Sequence, residues 1–159
     1  MQFANYEKAS FSVKEEINRL CENGFISESE AKAINVKAVE AFFKSNFAKR
    51  ILQSKVVMRE KKLTVRVPIG EIYPSLSAFS DETVVIQGIA DCAFVENGKL
   101  VVVDYKTDNL DSEEKFKEKY SKQVAVYKRA LSLCTDYEVS ETYLYSFRLE
   151  KEIKVEIKL

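Results

Sequence analysis

The segment that most constrains this chain is the run from Val84 to Asp108, which reads VVIQGIADCAFVENGKLVVVDYKTD. Asn97-Gly98 separates two β-rich halves, and such a loop favours a type I′ turn because both of its central residues need positive φ. A two-residue loop also fixes the register of an antiparallel hairpin, so that paired residue numbers sum to 195. The sequence therefore predicts Asp91 directly opposite Asp104.

Two carboxylates and one ammonium group would then share one face of the hairpin. Cβ atoms of direct cross-strand partners lie about 4.5–5.5 Å apart, and Lys106, two residues beyond Asp104, points to the same side. The surroundings are apolar and comprise Val84, Val85, Ile86, Ile89, Val101, Val102 and Val103. Because the like charges of Asp91 and Asp104 repel, a folded domain keeps the pair only with a compensating cation.

Mg²⁺ or Mn²⁺ suits a pair of carboxylate ligands. Such an ion would polarise a phosphoryl oxygen and activate water, while Lys106 would orient that water or stabilise charge on the phosphate. The competing explanation is a structural Asp–Lys salt bridge at a sheet edge, with the second aspartate solvated. A one-residue bulge would also change the register of the hairpin.

Composition excludes several classes of chemistry. The chain has 159 residues and no histidine, which rules out a histidine base, a Ser-His-Asp triad and histidine-ligated zinc. Its 25 basic and 25 acidic residues balance, which argues mildly against strong autonomous DNA binding. Cys21, Cys92 and Cys134 lack metal-ligand spacing and are expected to be buried free thiols in a reducing cytoplasm. No membrane helix or secretory signal is expected.

The coarse pattern places helices before strands. Capping boxes at Ser12–Glu15 and Ser27–Glu30 predict one helix to about Cys21, ended by Gly24, and a second to about Phe47. Strands are expected at 56–58, 63–68, 84–95, 100–105, 142–147 and 153–159, with an irregular connection at 69–82 and a long helix at 112–133. This order predicts an α/β or α+β sandwich, a mixed central sheet flanked by helices. Residues 1–159 are expected to form a single domain, helical over 1–50, with the sheet-containing core over 54–159.

The spacing of the acidic residues resembles a known nuclease core. Asp91, followed after twelve residues by Asp104-Tyr105-Lys106, resembles the PD-(D/E)XK motif. The run QGIADCAFVENGKLVVVDYKTD is similar to the C-terminal nuclease domain of the AddA chain in AddAB-type helicase–nucleases, within the wider RecB-like group. The resemblance implies a restriction-endonuclease-like fold, Asp91 and Asp104 as metal ligands, and Lys106 as the catalytic lysine.

Two further motifs extend the resemblance. Gln123 and Tyr127 in YSKQVAVY resemble the group's Q-x-x-x-Y motif, and residues four apart lie on one helix face, where both could reach the phosphate or the metal. Taken alone, Tyr127 would be interpreted as a core aromatic with its hydroxyl at the rim. Glu60, in Met58-Arg59-Glu60, matches a glutamate that contributes to the family's site. Without the resemblance it would be an ordinary charged strand end.

The chain departs from the family in three respects. It lacks the histidine of the family's first helix, the cysteine spacing of its iron–sulfur cluster, and any Gly-x-x-x-x-Gly-Lys-[Ser/Thr] phosphate loop. These departures indicate a fragment of a larger helicase–nuclease, with no cluster expected in this chain. Activity of the fragment alone is expected to be weak or absent.

The resemblance therefore implies a Mg²⁺-dependent deoxyribonuclease, an exonuclease by preference, acting in double-strand break repair and recombination. Its expected partners are DNA, the helicase region of the parent chain and a second helicase–nuclease subunit. Two alternatives stay open: a stand-alone RecB- or Cas4-like nuclease, and a non-catalytic DNA-binding or subunit-docking domain with a nuclease fold. Cations of the long helix could contact the DNA backbone, although a solvated helix face is the commoner use of such residues: Lys115, Lys117, Lys119, Lys122, Lys128 and Arg129.

Overall fold

Five strands form one mixed sheet in the order β1-β2-β3-β4-β5 in the computed structural model, which describes residues 1–79 and 81–156. The strands are β1 (Val57–Pro68), β2 (Thr83–Glu96), β3 (Lys99–Lys106), β4 (Val139–Ser146) and β5 (Lys151–Lys154). Only β3 and β4 pair in parallel, whereas the other neighbours are antiparallel. The helices are α1 (Tyr6–Phe11), α2 (Val13–Glu22), α3 (Glu28–Ala33), α4 (Val36–Lys44), α5 (Asn46–Gln53), α6 (Ile69–Ile72) and α7 (Glu113–Cys134).

Helices cover both faces of the sheet. On one face, α4 and α5 bury Phe42 and Phe47 against Phe94 and Tyr145. On the other face, α7 packs through residues such as Leu131 against a second apolar cluster from β1, β2 and β3. Burial of these side chains is the main force that holds the layers together. The predicted mixed sheet flanked by helices is confirmed.

The predicted caps begin two of the N-terminal helices. Ser12 accepts a hydrogen bond from the Glu15 N–H at the start of α2. Ser27 and Glu30 form a reciprocal capping box at α3, in which each side chain bonds the other residue's backbone N–H. Each cap satisfies a donor that would otherwise lack an intrahelical partner. Gly24 follows α2 with φ of +69°, the conformation that favours glycine after a helix.

The single helix predicted from Ser27 to about Phe47 is wrong, because three helices occupy the region and extend to Gln53. Asn35 accepts the Ala38 N–H and thereby caps α4. Ser45 similarly accepts the N–H of Ala48 at the start of α5. Asparagine and serine compete with helix continuation by bonding nearby backbone, so each one ends one helix and begins the next. The sequence pattern does not predict helix α1.

Three other segments differ from the sequence expectation. The two short strands expected at 56–58 and 63–68 are parts of one strand, β1. The connection at 69–82, expected to be irregular, contains α6 and a 3₁₀ helix over Pro74–Phe79. The last strand, expected over 153–159, ends at Lys154, and residues 157–159 lie outside the described part of the chain. Ile153 and Val155 are buried while Lys154 and Glu156 are exposed, so the expected alternation holds there.

The β2–β3 hairpin has the predicted register. Asn97 and Gly98 have φ values of +51° and +74°, as a type I′ turn requires. The five cross-strand pairs, from Glu96–Lys99 to Cys92–Val103, have residue numbers that sum to 195. Pairing stops at Cys92, so Asp91 and Asp104 face the first position after the end of the ladder.

Strands β1 and β2 share a coupled irregularity at this same point. Their residue numbers sum to 151 on both sides of it, but Glu60 and Asp91, which would pair, do not. Ala90 and Ala93 belong to the same α7-side cluster although they lie three residues apart. Since same-face residues in a regular strand are an even number apart, β2 must contain one irregular residue between them. In β1, Glu60 has φ of +50°.

The three cysteines are free thiols, but only Cys92 is buried. Cys21 is half-buried and Cys134 is exposed, so the expectation that all three are buried is wrong for these two. Across residues 1–79 and 81–156, no helix has both the length and the apolar character needed to cross a bilayer.

Candidate active site

The irregularity in β2 directs the carboxylate of Asp91 toward β3. Its Oδ2 accepts a hydrogen bond of 2.8 Å from the backbone N–H of Tyr105. This bond satisfies a backbone donor at the position where the β2–β3 ladder has ended. The carboxylate is thereby held next to Asp104, the residue that precedes Tyr105.

Asp104 is buried in the middle of the sheet, with 2% of its surface exposed. It lies on β3 beside Leu144 of the parallel strand β4. Burial raises the pKa of this carboxyl from 3.8 to about 6, although Lys106 opposes the rise through its contact and charge. Asp91 raises the pKa further through its negative charge and a side-chain hydrogen bond. The ionised form of Asp104 is therefore only partly compensated by the protein.

Lys106 is held in place by three groups. Its side chain is 12% exposed, and its Nζ lies 2.6 Å from Asp104 Oδ2. The same Nζ donates a 2.9 Å hydrogen bond to Gln123 Oε1 and lies 4.0 Å from the centroid of the Tyr120 ring, a distance at which a cation–π attraction is expected. The contact with Asp104 lacks hydrogen-bond alignment, so within the described residues Asp104 Oδ2 is buried without a hydrogen-bond partner.

Helix α7 adds Gln123 and Tyr127 to this group. Gln123 Nε2 donates to the Tyr127 hydroxyl oxygen at 3.0 Å. Burial raises the pKa of Tyr127, the hydrogen bond from Gln123 lowers it, and the negative charges of Asp104 and Asp91 raise it further. The hydroxyl is therefore close enough to both carboxylates to feel their charge.

Two residues that sequence reasoning missed support this arrangement. A Cβ at Gly88 would lie 3.1 Å from Tyr127 Cε1, so glycine lets the Tyr127 ring approach the backbone of β2. The interior position of this glycine in a strand was the available signal. Tyr120 precedes Gln123 by three residues, and that spacing puts both side chains on one helix face.

Glu60 lies on β1 opposite Asp91 and is half-buried. Among the residues that the structure describes, no group of three or more histidine, cysteine, aspartate or glutamate side chains is placed to hold a metal ion. The structure therefore brings Asp91, Asp104 and Lys106 together but does not gather Glu60 with the two aspartates. The role of Glu60 as a ligand stays a prediction.

Comparison with known families settles the origin of this arrangement. The family model described as the PD-(D/E)XK nuclease superfamily matches residues 5–157. The chain belongs to the PD-(D/E)XK nuclease superfamily. The match spans both the helical region and the strands that carry Asp91 and Asp104, so this nuclease domain includes the N-terminal helices.

Curated relatives of this nuclease domain are much longer than the chain. It is 38% identical over 160 residues to an ATP-dependent helicase/nuclease subunit of Clostridium botulinum (strain Loch Maree / Type A3), and the match covers 98% of this chain and 12% of the relative. The protein of the same name from Clostridium kluyveri is 41% identical over 137 residues, which cover 85% of this chain and 11% of the relative. The solved structure described as "Crystal structure of SSO0001" aligns with 94% of this chain and 63% of its own at a TM-score of 0.48 and 16% identity.

Proposed function

We propose that this domain hydrolyses DNA phosphodiester bonds with Mg²⁺ or Mn²⁺ held by Asp91 and Asp104. The observation that carries the proposal is the buried Asp104 oxygen, which has no hydrogen-bond partner among the described residues and lies 2.6 Å from Lys106 Nζ. A buried carboxylate without full hydrogen bonding is costly to a fold. A site that binds a cation gives this cost a purpose.

The donor set fits a divalent ion of this kind. Mg²⁺ keeps several water ligands and is commonly bound by one or two carboxylates together with substrate phosphates. Two aspartates, without a third clustered acid in residues 1–79 and 81–156, suit that pattern. When bound, the ion would polarise a phosphoryl oxygen and lower the pKa of coordinated water. Glu60, opposite Asp91 on β1, would contribute to the metal or water shell.

The chain's own residues would position the phosphate and the attacking water. The Lys106 ammonium, fixed by Gln123 and Tyr120, would orient the water or balance negative charge that develops on the phosphate. The Tyr127 hydroxyl, which already accepts a hydrogen bond from Gln123, can still donate its own proton to a phosphate oxygen. Because their partners hold them, these groups need little rearrangement when a substrate binds.

The relatives indicate where such an activity would be used. Since 98% of this chain aligns with 12% of a helicase/nuclease subunit, we place residues 1–159 as a single nuclease domain of a longer helicase–nuclease. Its partners would be DNA, the helicase region of the parent chain and a second helicase–nuclease subunit. Its role would be exonucleolytic processing of double-strand breaks for recombination and repair, in the cytoplasm. The isolated domain would be weakly active.

A second candidate is a non-catalytic DNA-binding or subunit-docking domain that keeps the nuclease fold. The absence of histidine and the balanced charge favour it. The retained set of Asp91, Asp104 and Lys106 argues against it, because a domain without catalysis has no need of a buried, partly compensated carboxylate.

The test is cleavage of end-labelled linear DNA, single- and double-stranded, with Mg²⁺, Mn²⁺ or EDTA. Asp104→Asn and Lys106→Met should abolish metal-dependent cleavage. The exposed Asp136→Asn and Lys37→Met, matched in chemistry, should leave it unchanged. Cleavage that survives both site variants would refute the assignment.

Calorimetry resolves the case in which the unmutated chain does not cleave. Mn²⁺ binding that Asp91→Asn abolishes would support the metal site and assign the missing activity to the remainder of the parent protein. A chain that binds no Mn²⁺ would favour the docking domain.

A further inference from the structure

Strands β1 and β2 continue past the site as a two-stranded ribbon, because β3 pairs with β2 only as far as Cys92. In this ribbon Leu63, Val65 and Val67 are buried in the cluster on the α7 side. The alternate residues of β1 therefore face the opposite side. With their cross-strand partners they form a set that we call the ribbon face: Lys62, Thr64 and Arg66 of β1, and Ile89, Gln87 and Val85 of β2.

The ribbon face is open to solvent. All six of its residues are exposed, and Val85 and Ile89 keep 56% and 44% of their surface accessible. The sequence expectation that these two residues belong to buried apolar surroundings is therefore wrong. The cluster formed by the N-terminal helices, as far as the structure describes it, includes Cys92 and Phe94 of β2 but no residue of the ribbon face.

The charge on this face is uncompensated within the described part of the chain. The ribbon face contains no carboxylate, and neither Lys62 nor Arg66 forms a salt bridge in residues 1–79 and 81–156. On α7, by contrast, four of the cations considered for DNA contact already have acidic partners: Lys115 with Asp111, Lys117 with Glu113, Lys119 with Asp108 and Arg129 with Glu71. The ribbon face is thus the more available cationic surface.

The ribbon face also begins next to the candidate site. Lys62 is two residues from Glu60, and Ile89 is two residues from Asp91. Lys62 and Arg66 are four residues apart on β1, which corresponds to about 13 Å along a strand. A polyanionic strand laid along the ribbon would therefore contact both cations and end at the two aspartates.

We propose that the ribbon face binds a single DNA strand and leads it to the site, an inference that rests on the proposed nuclease function. Lys62 and Arg66 bind backbone phosphates, with Thr64 and Gln87 as hydrogen-bond donors between them. Val85 and Ile89 pack against sugars and base faces. Because the contacts are to the backbone and to apolar surfaces, binding is independent of base sequence.

Fluorescence anisotropy with a labelled oligothymidine, in EDTA to prevent cleavage, tests this proposal. The double variant Lys62→Glu/Arg66→Glu should weaken binding by roughly tenfold or more and reduce the slope of log affinity against log salt by about 1.4, since each phosphate contact on a single strand contributes about 0.7. The control Lys37→Glu/Lys44→Glu makes the same change in net charge at exposed positions of α4. It should weaken binding by less than about twofold.

Two results would overturn the proposal: an equal loss in both double variants, which would indicate only long-range charge, or no binding by the unmutated chain. Calorimetric Mn²⁺ binding and cleavage of DNA are measured on the same proteins. Loss of the ribbon variant's DNA affinity with unchanged Mn²⁺ binding supports the proposal. A wild-type chain that binds DNA without Mn²⁺ binding contradicts the proposed nuclease function instead.

Discussion

Replacing Asp104 with asparagine should stabilise the metal-free chain at neutral pH while it removes the metal site. The residue is 2% exposed, and burial raises the pKa of its carboxyl from 3.8 to about 6. Because the folded chain binds this proton more tightly than the unfolded chain, the free energy of unfolding falls as pH rises from about 4 to about 6 and is then level. Each pKa unit corresponds to about 1.36 kcal/mol, so the ionised group costs about 3 kcal/mol above pH 6.

Urea unfolding in EDTA measures this cost directly. Asp104→Asn, which mimics the neutral carboxyl, should raise the free energy of unfolding by about 3 kcal/mol at pH 8 and by roughly half of that at pH 5. Asp136→Asn, at an exposed position, is the control and should change little at either pH. The pH dependence of the difference distinguishes relief of a buried charge from a general packing effect.

Added Mn²⁺ should reverse the order of stability. A ligand that binds only the folded state stabilises it by RT ln(1 + [L]/Kd), so the unmutated chain gains with Mn²⁺ while Asp104→Asn does not. If the asparagine variant is less stable than the unmutated chain at pH 8 in EDTA, or if its gain is the same at pH 5 and pH 8, the reasoning from burial is refuted.

Three further variants test the supports of the site. Tyr120→Leu should lower metal-dependent cleavage about tenfold by removing the ring 4.0 Å from Lys106 Nζ, whereas Tyr120→Phe keeps the ring and most of the activity; equal losses in kcat would exclude this role. Gly88→Val should displace Tyr127, whose Cε1 lies 3.1 Å from a Cβ at that position, and raise KM, as DNA titrations would reveal. Glu60→Gly should stabilise the chain by about 1 kcal/mol in urea because φ of +50° strains a non-glycine residue, and it should weaken Mn²⁺ binding if the carboxylate is a ligand.

The hairpin could be predicted well because its turn chemistry is local. Asn97-Gly98 determines the turn, and the turn determines the register from Glu96–Lys99 to Cys92–Val103. The point where pairing ends could not be predicted, since it depends on β1 as well as on β3. The helical half was harder for a similar reason: Asn35 and Ser45 lie within an apolar stripe that continues across them, and only their cap bonds to Ala38 and Ala48 divide it.

The site's membership was predictable in part. Gln123 and Tyr127 followed from helical spacing and from the family motif, but the ring of Tyr120 over Lys106 depends on how α7 crosses β3, which no local pattern encodes. The apolar neighbours of Val85 suggested a core position. It is exposed because the helices that cover the rest of that face do not reach the ribbon.

Three departures from ordinary folding rules coincide at one point of the sheet. The β2–β3 ladder ends after Cys92, Glu60 has positive φ in the middle of a strand, and Asp104 keeps a buried oxygen without a hydrogen-bond partner among the described residues. A sheet that served stability alone would be expected to remove each of these, since each one costs free energy. Their shared location is explained if the end of the ladder opens a gap in which Asp91 and Asp104 can face a cation. The physical cost therefore argues for a functional site independently of any family resemblance.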